Sequence, residues 1–389
     1  MAFAATARRA FGNTATAAPL ARRQIGQTGV EVTQLGYGTA PIGELFVNLT
    51  EQESYDTLQA AWDNGVRYFD SSPWYGRGLA ELRLGTFLRG QPRDDFVVST
   101  KVGRTLHRPP GGDDARKRDF PTSPWAGGCQ FAIRHDYSYD GIMRSYEDSL
   151  QRLGLNRVDV LLVHDMDEHH FATPEALRAQ MAMLSAGGGW RALEDLKNAG
   201  EIKAIGAGIN HEGTISHYLD TFAAPGPGGT GEAFAPDVFL ISQSCHTLLD
   251  QHLLTGAKGE LARCVDAGIG LVVGSPFAGG ILGSGTRRGS DVPLVYNYEP
   301  APDDVVARVA RIEALLDAHA PGASLPAAAL QFVVAHPSVA AVIPGAVEPG
   351  LVAANASALA PGATIPDAFW RALKEEGLLP AEAPTPADA

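Results

Sequence analysis

Arg67-Tyr-Phe-Asp-Ser-Ser-Pro-Trp-Tyr-Gly-Arg77 decides the reading of this chain. Aromatic and apolar residues give way to a polar end at Ser72, and Pro73 stops the run, so residues 67–72 are predicted to form a short strand. Asp70 then stands at its carboxyl end, and Tyr75 on the loop beyond. The plan repeats downstream. Asp95-Phe-Val-Val-Ser-Thr-Lys-Val-Gly103 carries Lys101 at its carboxyl end, and Val158-Asp-Val-Leu-Leu-Val-His-Asp165 carries His164. One carboxylate and three proton-carrying groups therefore leave the same end of successive strands. In an α/β barrel that end is where the chemistry sits.

Outward from this stretch, further strands are expected at 35–40, 202–210, 238–243, 270–276 and 339–344. Helical spacing of apolar residues marks 51–64, 80–88, 139–153, 190–199, 253–267, 303–319, 326–335 and 350–360. Eight strands alternating with helices specify a (β/α)8 TIM barrel better than an open sheet. Residues 23–27 and 30–34 flank a Thr-Gly turn and read as an N-terminal hairpin. Long βα loops are expected at 104–138, dense in Pro, Gly, Asp and Arg, and at 165–188; a Gly/Pro loop spans 225–231. The barrel domain is set at 23–379, with a disordered Pro/Ala/Glu/Asp tail at 380–389. Residues 1–23 hold four arginines and no acid, and residues 1–22 are read as a disordered extension, with organellar targeting as the alternative.

Composition narrows the function. A net charge of −13, with acids spread along the sequence, would repel a phosphate backbone, so no nucleic-acid partner is expected. No apolar run reaches the length a membrane helix requires. Cys129, Cys245 and Cys264 have no metal or redox spacing, which points to reduced thiols and a cytoplasmic home.

Asp70, Tyr75, Lys101 and His164, in that order, resemble the catalytic tetrad of the aldo-keto reductase family. The likeness runs from about Arg23 to about Ala360. It is nearest to the aldose 1-dehydrogenases (L-fucose, D-threo-aldose, L-galactose) and pyridoxal 4-dehydrogenase, through Leu35-Gly-Tyr-Gly-Thr-Ala-Pro-Ile-Gly43, Phe69-Asp-Ser-Ser-Pro-Trp-Tyr-Gly76 and Tyr296-Asn-Tyr-Glu-Pro-Ala-Pro302. The resemblance implies an NAD(P)-dependent oxidoreductase acting on a small sugar or aldehyde, here oxidising an aldose at C1 to the lactone. Pyridoxal oxidation or small-aldehyde reduction is the alternative within the fold, and a non-catalytic nucleotide-sensing subunit the alternative of another class.

In this reading Tyr75 is the general acid/base. A free phenol has a pKa near 10, and lowering it by ~2 units requires roughly 2.7 kcal/mol of differential interaction. Lys101 is expected to supply that charge, with Asp70 holding Lys101 and His164 orienting the substrate oxygen. Taken singly each residue has an ordinary structural explanation: Tyr75 a packed loop ring, Asp70 a turn cap, Lys101 solvated, His164 a hydrogen-bonded core histidine.

The cofactor residues implied are Gly38, Thr39, Asp70, Asn210, Gln243, Ser275, Gly345, Ala346 and Asn355. Ile343-Pro-Gly-Ala346, opening a helix, suits a phosphate at backbone N–H groups. Val347-Glu348 stands where the family has a basic residue gripping the 2′-phosphate of NADP, so NAD is expected over NADP. Gly274 replaces an aromatic ring that often stacks on the nicotinamide. Trp74 and His246 are candidate substrate-pocket walls. His164-Asp-Met-Asp-Glu-His-His170 invites a metal reading, and with it a metal-dependent hydrolase, but no second ligand group accompanies it, and no metal site is assigned.

Overall fold

The computed structural model describes residues 19–112, 124–171, 173–222, 235–287 and 294–388. The expected extension up to residue 18, the loop 225–231 and the centre of the 104–138 insertion lie outside them. Eight parallel strands are present: β1 (Tyr37–Gly38), β2 (Tyr68–Asp70), β3 (Val97–Val102), β4 (Val160–His164), β5 (Ala204–Ile209), β6 (Val238–Ile241), β7 (Gly270–Gly274) and β8 (Val339–Ile343). Each pairs with its sequence neighbour, and a parallel bridge from Leu35 to Val342 joins the last to the first. Sequential pairing with closure gives the (β/α)8 barrel.

Strand alternation sorts the residues into two cores. Tyr68, Val160, Leu162, Ala204, Leu240, Val272 and Ile343 fill the barrel interior, closed at the bottom by Ile25, Val30 and Val32 of the hairpin Arg22–Gln24/Glu31–Thr33. Phe69, Val98, Val102, Leu161 and Val163 face the helices. Because Asp70 lies two residues after Tyr68, and His164 two after Leu162, both side chains follow the interior face and emerge at its upper end. Lys101 does the same, two residues beyond Ser99.

The 104–138 insertion contains a β-hairpin, Arg104–His107 with Ala132–His135. It leaves β3 through Gly103, whose φ is +96° and where a Cβ would come within 2.2 Å of the Tyr137 ring, so only glycine fits. The second long loop contains a helix, Pro174–Ser185, begun by Thr173 accepting the N–H of Ala176. The expected helix 253–267 is divided into His252–Thr255 and Glu260–Asp266. Like Pro174–Ser185, the helices Gly213–Phe222, Ile281–Ser284 and Asp367–Glu375 were not anticipated. The tail, expected to be disordered from Pro380, packs instead: Ala383 and Thr385 are buried, and Asp388 accepts from the backbone N–H of Thr385 at 2.9 Å and pairs with Lys374.

Candidate active site

The tetrad residues meet at the carboxyl ends of β2, β3 and β4. Lys101 Nζ donates to Asp70 Oδ2 at 2.6 Å and to the Ser71 carbonyl at 2.9 Å. Ser99 Oγ donates to the other Asp70 oxygen at 2.6 Å. The ammonium therefore has a fixed place, 4.7 Å from the centre of the Tyr75 ring. Gly208 on β5 leaves the room, since a Cβ there would lie 3.2 Å from Lys101 Cε. His164 stands on the other side of the phenol, with ring centres 5.9 Å apart. Tyr75, Lys101 and His164 line one cavity of about 730 Å³, together with Trp74, Trp125, Asp165, Asn210 and Tyr298.

Electrostatics depart from the expectation in one respect. The Tyr75 phenol is pushed well above its ordinary pKa of 10, first by burial, then by Asp70 and Asp165. The ammonium, paired with Asp70, does not outweigh burial and the two carboxylates, so the predicted net lowering is absent and Tyr75 rests as a neutral phenol. Burial likewise pushes the Asp70 carboxyl up against the opposing pull of Lys101. His164 is driven well below 6.5 by burial and then by Arg104 and Lys101, so the imidazole is neutral.

Its tautomer follows from its neighbours. Ser72 Oγ, which accepts the N–H of Trp74 at 3.0 Å, can donate its own proton to His164 Nδ1 at 2.9 Å, whereas the Asp165 carboxylate beside Nε2 can only accept. The imidazole proton is thereby assigned to Nε2, which lies 3.2 Å from Asp165 Oδ2.

Behind the histidine lies an acidic network. Asp165 Oδ2 pairs with Arg104 at 2.8 Å, and its other oxygen accepts Asn210 Nδ2 at 3.0 Å. Asp167 accepts both the backbone N–H and the side-chain amide of Asn210 at 2.8 Å. Burial opposes its ionisation, yet hydrogen bonds from His170 and Asn210 hold the Asp167 carboxyl down at about 2. Asp165, Asp167 and His170 bring ligand atoms within 4.8 Å of one another, the geometry that would tempt a metal assignment. Each of the three is already engaged in hydrogen bonds or ion pairs within the network.

A second cavity of about 270 Å³ continues from the first, sharing Tyr75, Ser242 and Tyr298, and is lined by Gly38, Asp70, Ser275, Gly345 and Val347. Gly345 lines this groove, and a Cβ there would come within 2.5 Å of Pro41, so the close approach of the two segments requires glycine. The helix Pro349–Ala358 starts beside it with no side chain capping its N–H groups, Glu348 being the N-cap residue. A narrow, glycine-lined groove ending on free N–H groups fits a dinucleotide.

Of the residues implied for cofactor contact, Gly38, Asp70, Asn210, Gln243, Ser275 and Gly345 line these cavities. Thr39, Ala346 and Asn355 do not. Thr39 donates its hydroxyl to Ser71, and the Ala346 carbonyl accepts Tyr37, so both brace the barrel rim. Trp74 is a wall of the larger cavity. His246 is not: the chain turns at Gln243, whose φ is +52°, and carries His246 away from the mouth to pack on Phe332 and His336.

Tyr298 was missed. It tips the hairpin Val295–Tyr296/Glu299–Pro300, lines both cavities, and its hydroxyl lies 2.6 Å from Ser275 Oγ. Asn297 and Tyr298 both have positive φ, the backbone of a tight hairpin turn. The stretch Tyr296–Pro302 was legible as a likeness, but not as a cover over the groove.

Residues 34–375 match the profile of the aldo/keto reductase family. The chain is 36% identical over 373 residues to pyridoxal 4-dehydrogenase of Microbacterium luteolum, covering 92% of this chain and 98% of that one. It is 35% identical over 358 residues to D-threo-aldose 1-dehydrogenase of a Pseudomonas species, covering 90% and 96%. Among solved structures, a holo aldo-keto reductase from Bacillus halodurans superposes with a TM-score of 0.65 at 22% identity, covering 95% of this chain and all of that one.

Proposed function

The chain belongs to the aldo/keto reductase family and is an NAD(P)-dependent oxidoreductase, and from that premise we propose that it oxidises an aldose at the anomeric carbon to the lactone, using NAD. The observation that carries this reading is the convergence of Tyr75, Lys101 and His164 on one cavity beside a dinucleotide-shaped groove. A relative named D-threo-aldose 1-dehydrogenase supports the substrate class.

His164, with its proton on Nε2, donates to the oxygen on the reacting carbon and orients it toward Tyr75. Tyr75 first gives up its phenol proton to solvent and then, as the phenolate, receives the hydroxyl proton of that oxygen. A nicotinamide held in the groove would supply the hydride acceptor and a positive charge to offset the burial of the phenolate. Lys101 favours the same anion from the other side of the ring, and Asp70 with Ser99 keeps Lys101 in place. Gly345 and the helix N-terminus would hold the cofactor phosphates. Gln243, Ser275 and the free oxygen of the Asn210 amide would meet the nicotinamide end. Tyr298, which lines both cavities, would cover it in place of the ring that Gly274 lacks. Glu348 disfavours a 2′-phosphate, which is the basis for NAD over NADP.

Pyridoxal is the second reading, favoured by the 36% identical relative that bears that name. Turnover of L-fucose, D-arabinose, L-galactose and pyridoxal, each with NAD and NADP, separates the two. Lactone formation from at least one aldose with NAD is expected; turnover confined to pyridoxal would overturn the leading reading.

A further inference from the structure

We infer that Asp165 is a specificity-determining residue that selects substrates bearing a hydroxyl on the carbon next to the reacting one. The inference rests on the proposed placement of the reacting oxygen at His164 and Tyr75, and deepens it.

Four observations lead there. The Nε2–H of His164 is the donor that would meet the reacting oxygen, and in this structure it faces Asp165 Oδ2 at 3.2 Å. A substrate oxygen that takes over this proton leaves the Asp165 oxygen one acceptor site free, at the edge of the same cavity. The carboxylate is otherwise kept in place: Arg104 at 2.8 Å and His170 Nε2 at 3.3 Å lie against the same oxygen, and the Asn210 amide lies 3.0 Å from the other. Arg104 has only 3% of its side chain exposed and stacks over Trp74, so the charge on Asp165 is balanced from below and not by solvent. Finally, Asp165 holds a left-handed backbone, φ +51°, which few non-glycine residues tolerate and which directs its carboxylate back beside the histidine it follows.

Donor and acceptor therefore stand side by side, about one hydrogen-bond length apart. Two adjacent oxygens of a sugar have the same spacing. The reacting oxygen accepts from Nε2–H, and its neighbour's hydroxyl donates to Oδ2. A substrate lacking that second hydroxyl leaves a buried carboxylate without a partner it would otherwise have, which a site of this kind penalises.

The test compares matched pairs in the native enzyme and in Asp165→Asn. Asparagine is chosen because it tolerates the left-handed backbone and keeps the shape of the side chain. The oxidative pair is D-arabinose against 2-deoxy-D-arabinose (2-deoxy-D-ribose). The reductive pair is lactaldehyde against propanal, which does not depend on lactone chemistry. The native enzyme is expected to favour the hydroxylated member by roughly 10- to 100-fold in kcat/KM, the range of one hydrogen bond to a charged group. Asp165→Asn should reduce that preference about tenfold in either pair. Equal kcat/KM for both members in the native enzyme overturns the inference, whether or not the variant folds, and so does an unchanged preference in the variant. A preference seen with lactaldehyde but no turnover of any aldose would sink the aldose reading and leave this inference standing.

Discussion

Replacing Lys101 by Met removes the ammonium placed against the Tyr75 ring, 4.7 Å from its centre. At an effective dielectric constant of about 20, a unit charge at that distance is worth roughly 3.5 kcal/mol to a phenolate, or about 2.5 pH units. Aldose oxidation at pH 8 should then fall by roughly two to three powers of ten in kcat. The substitution also leaves Asp70, which is 1% exposed, without its ion-pair partner. Breaking a buried pair in this way costs about 3–5 kcal/mol of stability, so lost activity alone would be ambiguous. The double variant Lys101→Met/Asp70→Asn resolves it, because it buries no charge. Its melting temperature should return close to that of the native chain while kcat stays low. Steady-state kinetics across pH 6–10, with cofactor affinity measured by fluorescence, provides the assay. Should Lys101→Met bind cofactor normally and turn over within tenfold of the native rate at pH 8, the assigned role of the ammonium is wrong.

Other outcomes follow from the same geometry. Because the Tyr75 phenol is held above its ordinary pKa, its base form is the minor one throughout the neutral range. Oxidation should therefore rise with pH, about tenfold per unit where proton removal limits the rate, whereas carbonyl reduction, which uses the phenol, should stay flat; a bell centred near neutrality would contradict this. Glu348→Arg should move the NADP-to-NAD ratio of kcat/KM about tenfold or more toward NADP, as a cation beside the groove gains a phosphate partner. His246→Phe should leave kcat/KM unchanged, since His246 is off the cavity. Burial, with His336 beside it, holds the His246 imidazole down at about 3, so the native fold loses stability as pH falls from 6.5 toward that value. The variant lacks this dependence, and thermal melts between pH 7 and pH 4 should show a shallower fall.

The barrel was legible because its interior strands advertise themselves. Val160, Leu162 and His164 share one face, Leu161 and Val163 the other, and the polar residue falls where the strand leaves the core. The four candidate residues were legible for the same reason, since Asp70, Lys101 and His164 lie at or near the ends of such runs and Tyr75 follows the first of them. What escaped notice was set by tertiary contacts. Gly213–Phe222 and Asp367–Glu375 are short, and the second becomes a helix by burying Phe369, Trp370 and Leu373. Pro174–Ser185 had a readable start, Thr-Pro-Glu, that went unused. His246 was misplaced because a single positive φ at Gln243 redirects the chain after β6. The phenol's pKa was misjudged for a different reason: Lys101 can be seen in the sequence, but not the burial of Tyr75 or the carboxylates facing it. Tyr298, and the Arg104–Asp165 pair, depend on loops meeting across the barrel mouth, for which no spacing rule exists.

The claim on which the rest depends is that Tyr75 moves the proton. Single-turnover oxidation of an aldose by Tyr75→Phe, with NAD bound as tightly as in the native chain, tests it most directly. Loss of that hydroxyl should slow the step by roughly 10²- to 10⁴-fold, the span of general acid–base catalysis. A rate within a few-fold of the native enzyme would contradict it and move the proton transfer elsewhere.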